Sequence, residues 1–519
     1  MLKKSLASLL LPVLVASCAT GVNLNTPNTN TDKVQISNKL MSTVKDRIKI
    51  YSGAEAQKMF KVTKQQSGFK VKANAFEPDY VIQHTSRTDA QCVKITGLTT
   101  ALRETGSDQA IAIFNTQGDT YASGAAEAYA VIFNLVDGTI KYVIETSGME
   151  FSDVYVIGDG KEAQIFMVGD DSSQDLDTAF VAKWSYDYIN TPDLKINADS
   201  DLSNDDLFYL EGRNATSIIS TGDDQKTFTF GVTTGENGYF YNLSNNRPGF
   251  TIKNKIKDSS DSGDFRTATI NTKSGKVFIL DGGWDQTSAS GSTNAKQDPK
   301  IIVLDSITFD RSTATEFNLP FSSSTTGLGA NYNFGTEKPG GQLSRTKILS
   351  IDEYLVIAAG SGGLVSVRND GMAGTEHDMT SLINKGPIPL TTLAGGKTNA
   401  IINDVFAGGF DGKTVNLAAI SGYFGLTTIK LDIASPSSTK TMDYRLFENP
   451  SGSTDGTSTN SMNMIRGRDR DGKVINYLAV GNGARGGSIY LPSTTAGQRV
   501  ANGGGVGSVG GLIGTLGGV

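Results

Sequence analysis

Three copies of one short pattern govern what this chain can become. Gly360, Gly422 and Gly483 stand 62 and 61 residues apart, and each follows an apolar run (LVIAA, LAAIS, LAVGN). Each is followed by a second glycine (Gly363, Gly425, Gly486) and another apolar run. The approaches agree as well: DGKTVNLAAISG at 411–422 and DGKVINYLAVGNG at 471–483 share Asp-Gly-Lys, an Asn and an apolar strand that reaches Gly. Weaker copies stand at 159–171 (DGKEAQIFMVGDD) and 274–284 (SGKVFILDGGW). A fixed period with several strands per unit predicts a repeat fold in which each unit buries its faces against its neighbours. We therefore expect an all-β protein, a β-propeller of about seven blades over residues 76–495, with a short N-terminal helical and basic segment. The candidate blades are centred near 125, 167, 225, 280, 358, 420 and 481.

The composition fits. Gly is abundant (59), Pro scarce (13) and charged residues make up only 19%, which suits short strands and many hairpins. Runs such as YAVIFNLVDGTIKYVIE, DVYVIGDGKEAQIFMVG, GKVFILDGG and PKIIVLDSITF are joined by Gly, Asp-Gly or Asn-rich turns. A sandwich array would not need the repeated glycine hairpin, and a β-helix would repeat on a much shorter rung. The period exceeds the roughly 40–50 residues of standard propeller repeats, which implies insertions in loops.

The first residues have the form of an export signal. Lys3 and Lys4 precede the apolar stretch SLASLLLPVLVAS, which is too short to span a bilayer comfortably. It closes on Val15-Ala16-Ser17-Cys18, a sequence similar to the bacterial lipobox. That resemblance implies cleavage after residue 17 and lipidation of Cys18 by a diacylglyceryl thioether and an N-acyl chain, palmitate among the acyl groups, together a stable anchor. Residue 19 is Ala rather than Asp, so the resemblance carries no inner-membrane retention signal. The expected address is extracytoplasmic, at the outer membrane or cell surface. With Cys18 lipidated, Cys92 is left as the other cysteine of the chain, expected as a buried thiol in an alternating strand.

Residues 18–32 are expected as a flexible tether, polar and uncharged over 19–31. Residues 33–75 form a basic segment, with ten Lys or Arg against Asp46 and Glu55 over 33–72. Ile36, Leu40, Val44 and Ile48 recur every four residues, the spacing of one short amphipathic helix. Such a segment rests either on anionic head groups or on the acidic main domain. Residues 496–519 form a Gly-rich apolar tail, expected as a flexible end, with Gly503, Gly507 and Gly511 at a four-residue interval that also suits docking in a membrane.

The repeats carry a second resemblance. YLVIAAGSGGLVSVRND and GYFGLTTIKLDIASPSS resemble blades of LVIVD-type β-propeller proteins, which read as apolar strand, Gly-x-x-Gly-Leu, apolar strand to Asp, then Ser-x-Pro. Gly360, Gly363 and Leu364, and again Gly422, Gly425, Leu426, Asp432 and Pro436, sit on that pattern. The resemblance implies an extracytoplasmic propeller without an assigned catalytic role.

Chemistry is sparse by comparison. His84 and His377 are the two histidines, far apart and in no metal-ligand spacing, which argues against zinc and against a His-assisted nucleophile. Quinoprotein propellers carry a Trp on nearly every blade, whereas this chain has Trp184 and Trp284; the Asp box of sialidase propellers is missing. Asp469 and Asp471, the group Asp199, Asp201, Asp205 and Asp206, and the group Asp258, Asp261 and Asp264 are the acidic clusters to weigh for calcium, though none completes a calcium loop. No catalytic residue and no cofactor is assigned. The formal charge of −6 gives no ground for nucleic-acid binding. The expected function is a lipid-anchored, non-catalytic binding or scaffold protein that engages a partner protein or glycan. The alternative is a carboxylate-dependent propeller hydrolase or lyase, which needs two acids converging on one rim.

Overall fold

The computed structural model describes residues 47–59, 78–85, 90–98, 109–116, 127–157, 164–171, 178–185, 196–197, 207–212, 214–222, 229–234, 238–244, 250–257, 265–271, 274–282, 300–306, 308–319, 347–351, 354–358, 364–368, 402–410, 413–421, 425–432, 440–444, 461–468, 474–481 and 486–490. These residues are nearly all β, arranged in four- and five-stranded antiparallel sheets with one three-stranded sheet.

The chain enters through β1 (Ile48–Ser52), a short helix α1 (Ala54–Met59) and β2 (Tyr80–His84). β3 (Ala90–Gly97), β4 (Gln109–Thr116), β5 (Glu127–Asn134) and β6 (Ile140–Ser147) form one antiparallel sheet. β7 (Met149–Ile157), β8 (Gln164–Asp171) and β9 (Thr178–Ser185) follow; then β10 (Ile196–Asn197) returns to pair in parallel with β6, and β11 (Leu207–Tyr209) joins β9. β12 (Ala215–Gly222), β13 (Thr229–Thr234), β14 (Tyr239–Ser244) and β15 (Thr251–Lys257) make the next sheet. It is followed by β16 (Phe265–Asn271), β17 (Lys276–Asp281), β18 (Lys300–Asp305) and β19 (Thr315–Asn318). The three-stranded sheet is β20 (Lys347–Ile351), β21 (Tyr354–Ala358) and β22 (Leu364–Arg368). β23 (Ile402–Phe410), β24 (Thr414–Ser421), β25 (Gly425–Asp432) and β26 (Lys440–Tyr444) form another. β27 (Ser461–Arg468), β28 (Val474–Gly481) and β29 (Gly487–Tyr490) complete the chain's strands and take up β2 and β1 in the order β1-β2-β29-β28-β27. Each blade centre expected from sequence falls between the first and last strand of a different one of these sheets.

The apolar runs are continuous because the middle strands are buried on both faces. In β5, Ala128, Ala130 and Ile132 point into a core shared with β7, β8 and β9, and Tyr129, Val131 and Phe133 into a core shared with β2, β28 and β29. β8 does the same: Ile165 and Met167 face back to β5, while Phe166 and Val168 face Val232, Tyr241 and Leu243 of the following sheet. In β17, Val277 and Ile279 pack towards Phe240 and Ile256, and Phe278 and Leu280 towards Ile348, Leu355 and Ile357. The core is thus a set of slabs between neighbouring sheets, in which each fully buried Val, Leu, Ile, Phe or Met contributes about 1.5–3 kcal/mol by leaving water. Two-period alternation therefore sorts residues between two cores rather than between core and solvent.

The N-terminal segment departs from expectation. Ile48, the last member of the four-residue apolar spacing, opens β1 rather than closing a helix, and is 2% exposed against β2. Ile36, Leu40 and Val44 lie outside the described residues. The local sequence IKIYS alternates, and the edge offered by β2 satisfies that period. β1, which lies within the basic stretch 33–75, therefore pairs into the last sheet. The short helix is α1, and its Ala56 is buried with Val81 of β2.

Candidate functional site

The first strands of the sheets touch one another in sequence. β3 packs on β7, β7 on β12, β12 on β16, β16 on β20, β20 on β23, β23 on β27, and β27 on β3. Near the start of each, one register position carries a polar side chain. The residues are Lys94 opposite Ile113, Asp153 opposite Val168, Ser217 opposite Thr233 and Thr267 opposite Leu280. The remaining three are Lys347 opposite Ala358, Asp404 opposite Ile420, and Ser461 opposite Gly481. In β3, β7, β12, β16 and β23 the residue follows a register shift of one residue, a bulge that re-aims the side chain.

Five of these side chains, Lys94, Asp153, Lys347, Asp404 and Ser461, tie neighbouring sheets together. Asp153 is 7% exposed; its Oδ1 accepts from its neighbour Val154 N (2.8 Å) and from Lys94 Nζ, and its Oδ2 from Ile218 N of β12 (3.2 Å). Asp404 repeats the arrangement: Oδ1 accepts from Val405 N (2.7 Å) and lies 3.3 Å from Lys347 Nζ, while Oδ2 accepts from Met462 N of β27 (2.7 Å). Each carboxylate therefore links three first strands, with a lysine before it and a backbone N–H after it. Ser461 Oγ donates to Val93 O (2.6 Å), and Thr216 Oγ1 to Phe265 O (2.9 Å), carrying the links on to β3 and β16.

A second charged group sits across β17, β18 and β19. Asp281 is fully buried, Lys300 lies 3.8 Å from it and 3.1 Å from Glu316, and Glu316 also accepts from Arg311. Burial pushes the Glu316 carboxyl upward, but the hydrogen bonds from Arg311 and Lys300 outweigh it and hold the group below the usual glutamate value. A depressed folded value stabilises the fold above the ordinary glutamate range, and that contribution is lost as pH falls through the lowered value. Glu316→Gln should therefore reduce stability at neutral pH and flatten the decline in melting temperature between about pH 5 and pH 3. Melting curves across that range, with parallel slopes for the two proteins, would contradict it.

The residues singled out from sequence are distributed differently. Cys18, His377, Trp284 and the three acidic clusters weighed for calcium lie outside the described residues, as do Gly360, Gly422, Gly483 and the tail. His84 is buried in β2, its ring 5.6 Å from that of Tyr129. Cys92 is buried in β3. Among the described residues no group of three or more His, Cys, Asp or Glu is placed to hold a metal ion. No helix among them is long and apolar enough to cross a membrane. The Lys-Asp links were missed in the sequence, although Lys94 and Asp153 stand 59 residues apart, close to the glycine period, and this was the available signal.

No protein-family profile matches the chain. No curated protein matches it either. Among solved structures, Drosophila Plexin A in complex with Semaphorin 1b is similar at 9% identity and a TM-score of 0.27, over 40% of this chain and 58% of that one. Prolyl oligopeptidase B from Galerina marginata, bound to a 25mer macrocyclization substrate, is similar at 10% identity and a TM-score of 0.32, over 86% of this chain and 57% of that one. The chain thus spans less than two thirds of either structure.

Proposed function

We propose that this protein is a seven-bladed β-propeller, lipid-anchored outside the cytoplasm, that serves as a non-catalytic binding or scaffold protein at the cell envelope. The observation that carries the reading is the state of the two carboxylates on the first strands, Asp153 and Asp404. Asp153 and Asp404 each accept two backbone N–H groups and face a lysine, so the oxygens of these two carboxylates are engaged in holding the first strands rather than offered to a substrate. Support for the ring comes from the contacts that run through the first strands and return from β27 to β3. The pairing of β2 with β29 adds to it, since it closes the last sheet with strands from the opposite end of the chain. The anchor rests on the lipobox-like segment ending in Cys18.

Two experiments test this. Cys18→Ser should abolish acylation and release the protein from membranes in soluble form, because one acyl chain is marginal and none leaves no anchor. Membrane association unchanged by that substitution overturns the lipoprotein reading. The released protein, assayed against activated glycoside and ester substrates, should show no turnover above buffer. Turnover that disappears with Asp153→Asn or Asp404→Asn, in a protein that remains folded, overturns the non-catalytic reading.

A further inference from the structure

The strand β15 is the longest that ends a sheet on its outer side: it has seven residues, whereas β1, β10, β11, β19, β22 and β26 have two to five. Among the described residues its outer edge pairs with no strand. Its side chains read exposed at Thr251, Ile252, Lys253, Lys255 and Lys257, and Ile252 is one of two large hydrophobics exposed among the described residues, at 43%. Opposite Leu243 the register slips by a residue, so Ile252 and Lys253 share the face that Lys255 and Lys257 occupy opposite Tyr241 and Tyr239.

The lysines are positioned rather than free-swinging. Lys255 Nζ lies 4.5 Å from the centre of the Tyr239 ring and pairs with Glu211, and Lys257 Nζ lies 5.8 Å from the same ring. Alternate residues on a strand repeat at roughly 6.5–7 Å, which matches alternate carboxylates on an extended peptide laid beside it. Lysine on an edge is also the ordinary guard against self-association, and here it acts selectively. A second copy of β15 would set lysine against lysine, whereas an acidic strand would set opposite charges across the pair.

From this edge we infer that an extended acidic segment of a partner protein docks as a fifth strand on β15, its alternate carboxylates meeting Lys253, Lys255 and Lys257 and an apolar residue covering Ile252. Backbone hydrogen bonds to the open edge hold the segment, and the lysine row selects its charge. The inference rests on the reading of the protein as a binding protein and narrows its partner.

The test uses the full-length chain in detergent micelles with a short synthetic peptide alternating Glu with Val. Binding should slow amide exchange within 251–257, and Lys255→Glu with Lys257→Glu should weaken it by at least about tenfold. A peptide alternating Lys with Val should bind the double variant better than the original protein, which also shows that the variant is folded. Equal affinity of the two proteins for the acidic peptide, no protection in 251–257, or no binding at all overturns the inference. So does binding of a polyanionic glycan that the peptide fails to displace. None of these results touches the non-catalytic reading, whose failure appears as turnover in the assays above.

Discussion

Gly486→Ala is expected to cost about 3–5 kcal/mol, enough to leave a protein of ordinary stability close to unfolding at physiological temperature. Two costs coincide at this position. The backbone has φ +81°, where a Cβ is strained, and the added carbon would lie 2.0 Å from the carbonyl oxygen of Ile82 in β2. That carbonyl belongs to the strand that joins the start of the chain to its end, so relief of the clash means opening the β2–β29 pairing. Gly53→Ala is the comparison. Its φ is +52° but a Cβ there meets nothing within 4 Å, so it should lose only the strain, about 1 kcal/mol. Urea unfolding of the two variants separates the effects. Equal losses would show that the close approach to Ile82 is not what constrains this glycine.

Asp404→Ala should cost about 3–5 kcal/mol, because it orphans a buried partner set rather than removing one surface charge. Met462 N and Val405 N lose their acceptor, and Lys347 keeps its charge at a site from which the carboxylate has gone. Asp404→Asn retains one acceptor oxygen and should lose less. Lys347→Met should lose least, since Lys347 is 30% exposed and its ammonium can be hydrated. The order Ala, Asn, then the lysine variant, read from unfolding midpoints at constant slope, is the signature of a clasp between β20, β23 and β27. A loss of no more than about 1 kcal/mol for Asp404→Ala would mean the hydrogen bonds to β27 are not retained in solution.

Much of the architecture was legible because it is local. Residues such as YAVIFN and KVFILD announce strands buried on both faces, and the recurring glycine pairs mark where one strand turns into the next. The centres of the sheets follow from those two signals alone. The site was harder to read. Asp153 and Asp404 look like any acid near a strand end, and their meaning comes from N–H groups 65 and 58 residues further on. The edge strand TIKNKIK likewise looks like a solvated run of lysines until its register against β14 puts the lysines on one face, with its other edge unpaired among the described residues.

The sequence by itself determined the all-β composition and the repeat, and it carries the lipobox-like segment that ends in Cys18. The tertiary structure decided which strands close the final sheet. Ile48 appeared at helical spacing behind Val44, and its strand partner in β2 is itself held by β29, about 440 residues downstream of β1. A periodicity measures only which face of an isolated segment is apolar. Whether IKIYS winds or extends depended on the edge of β2, which pairs with β1 on one side and with β29 on the other.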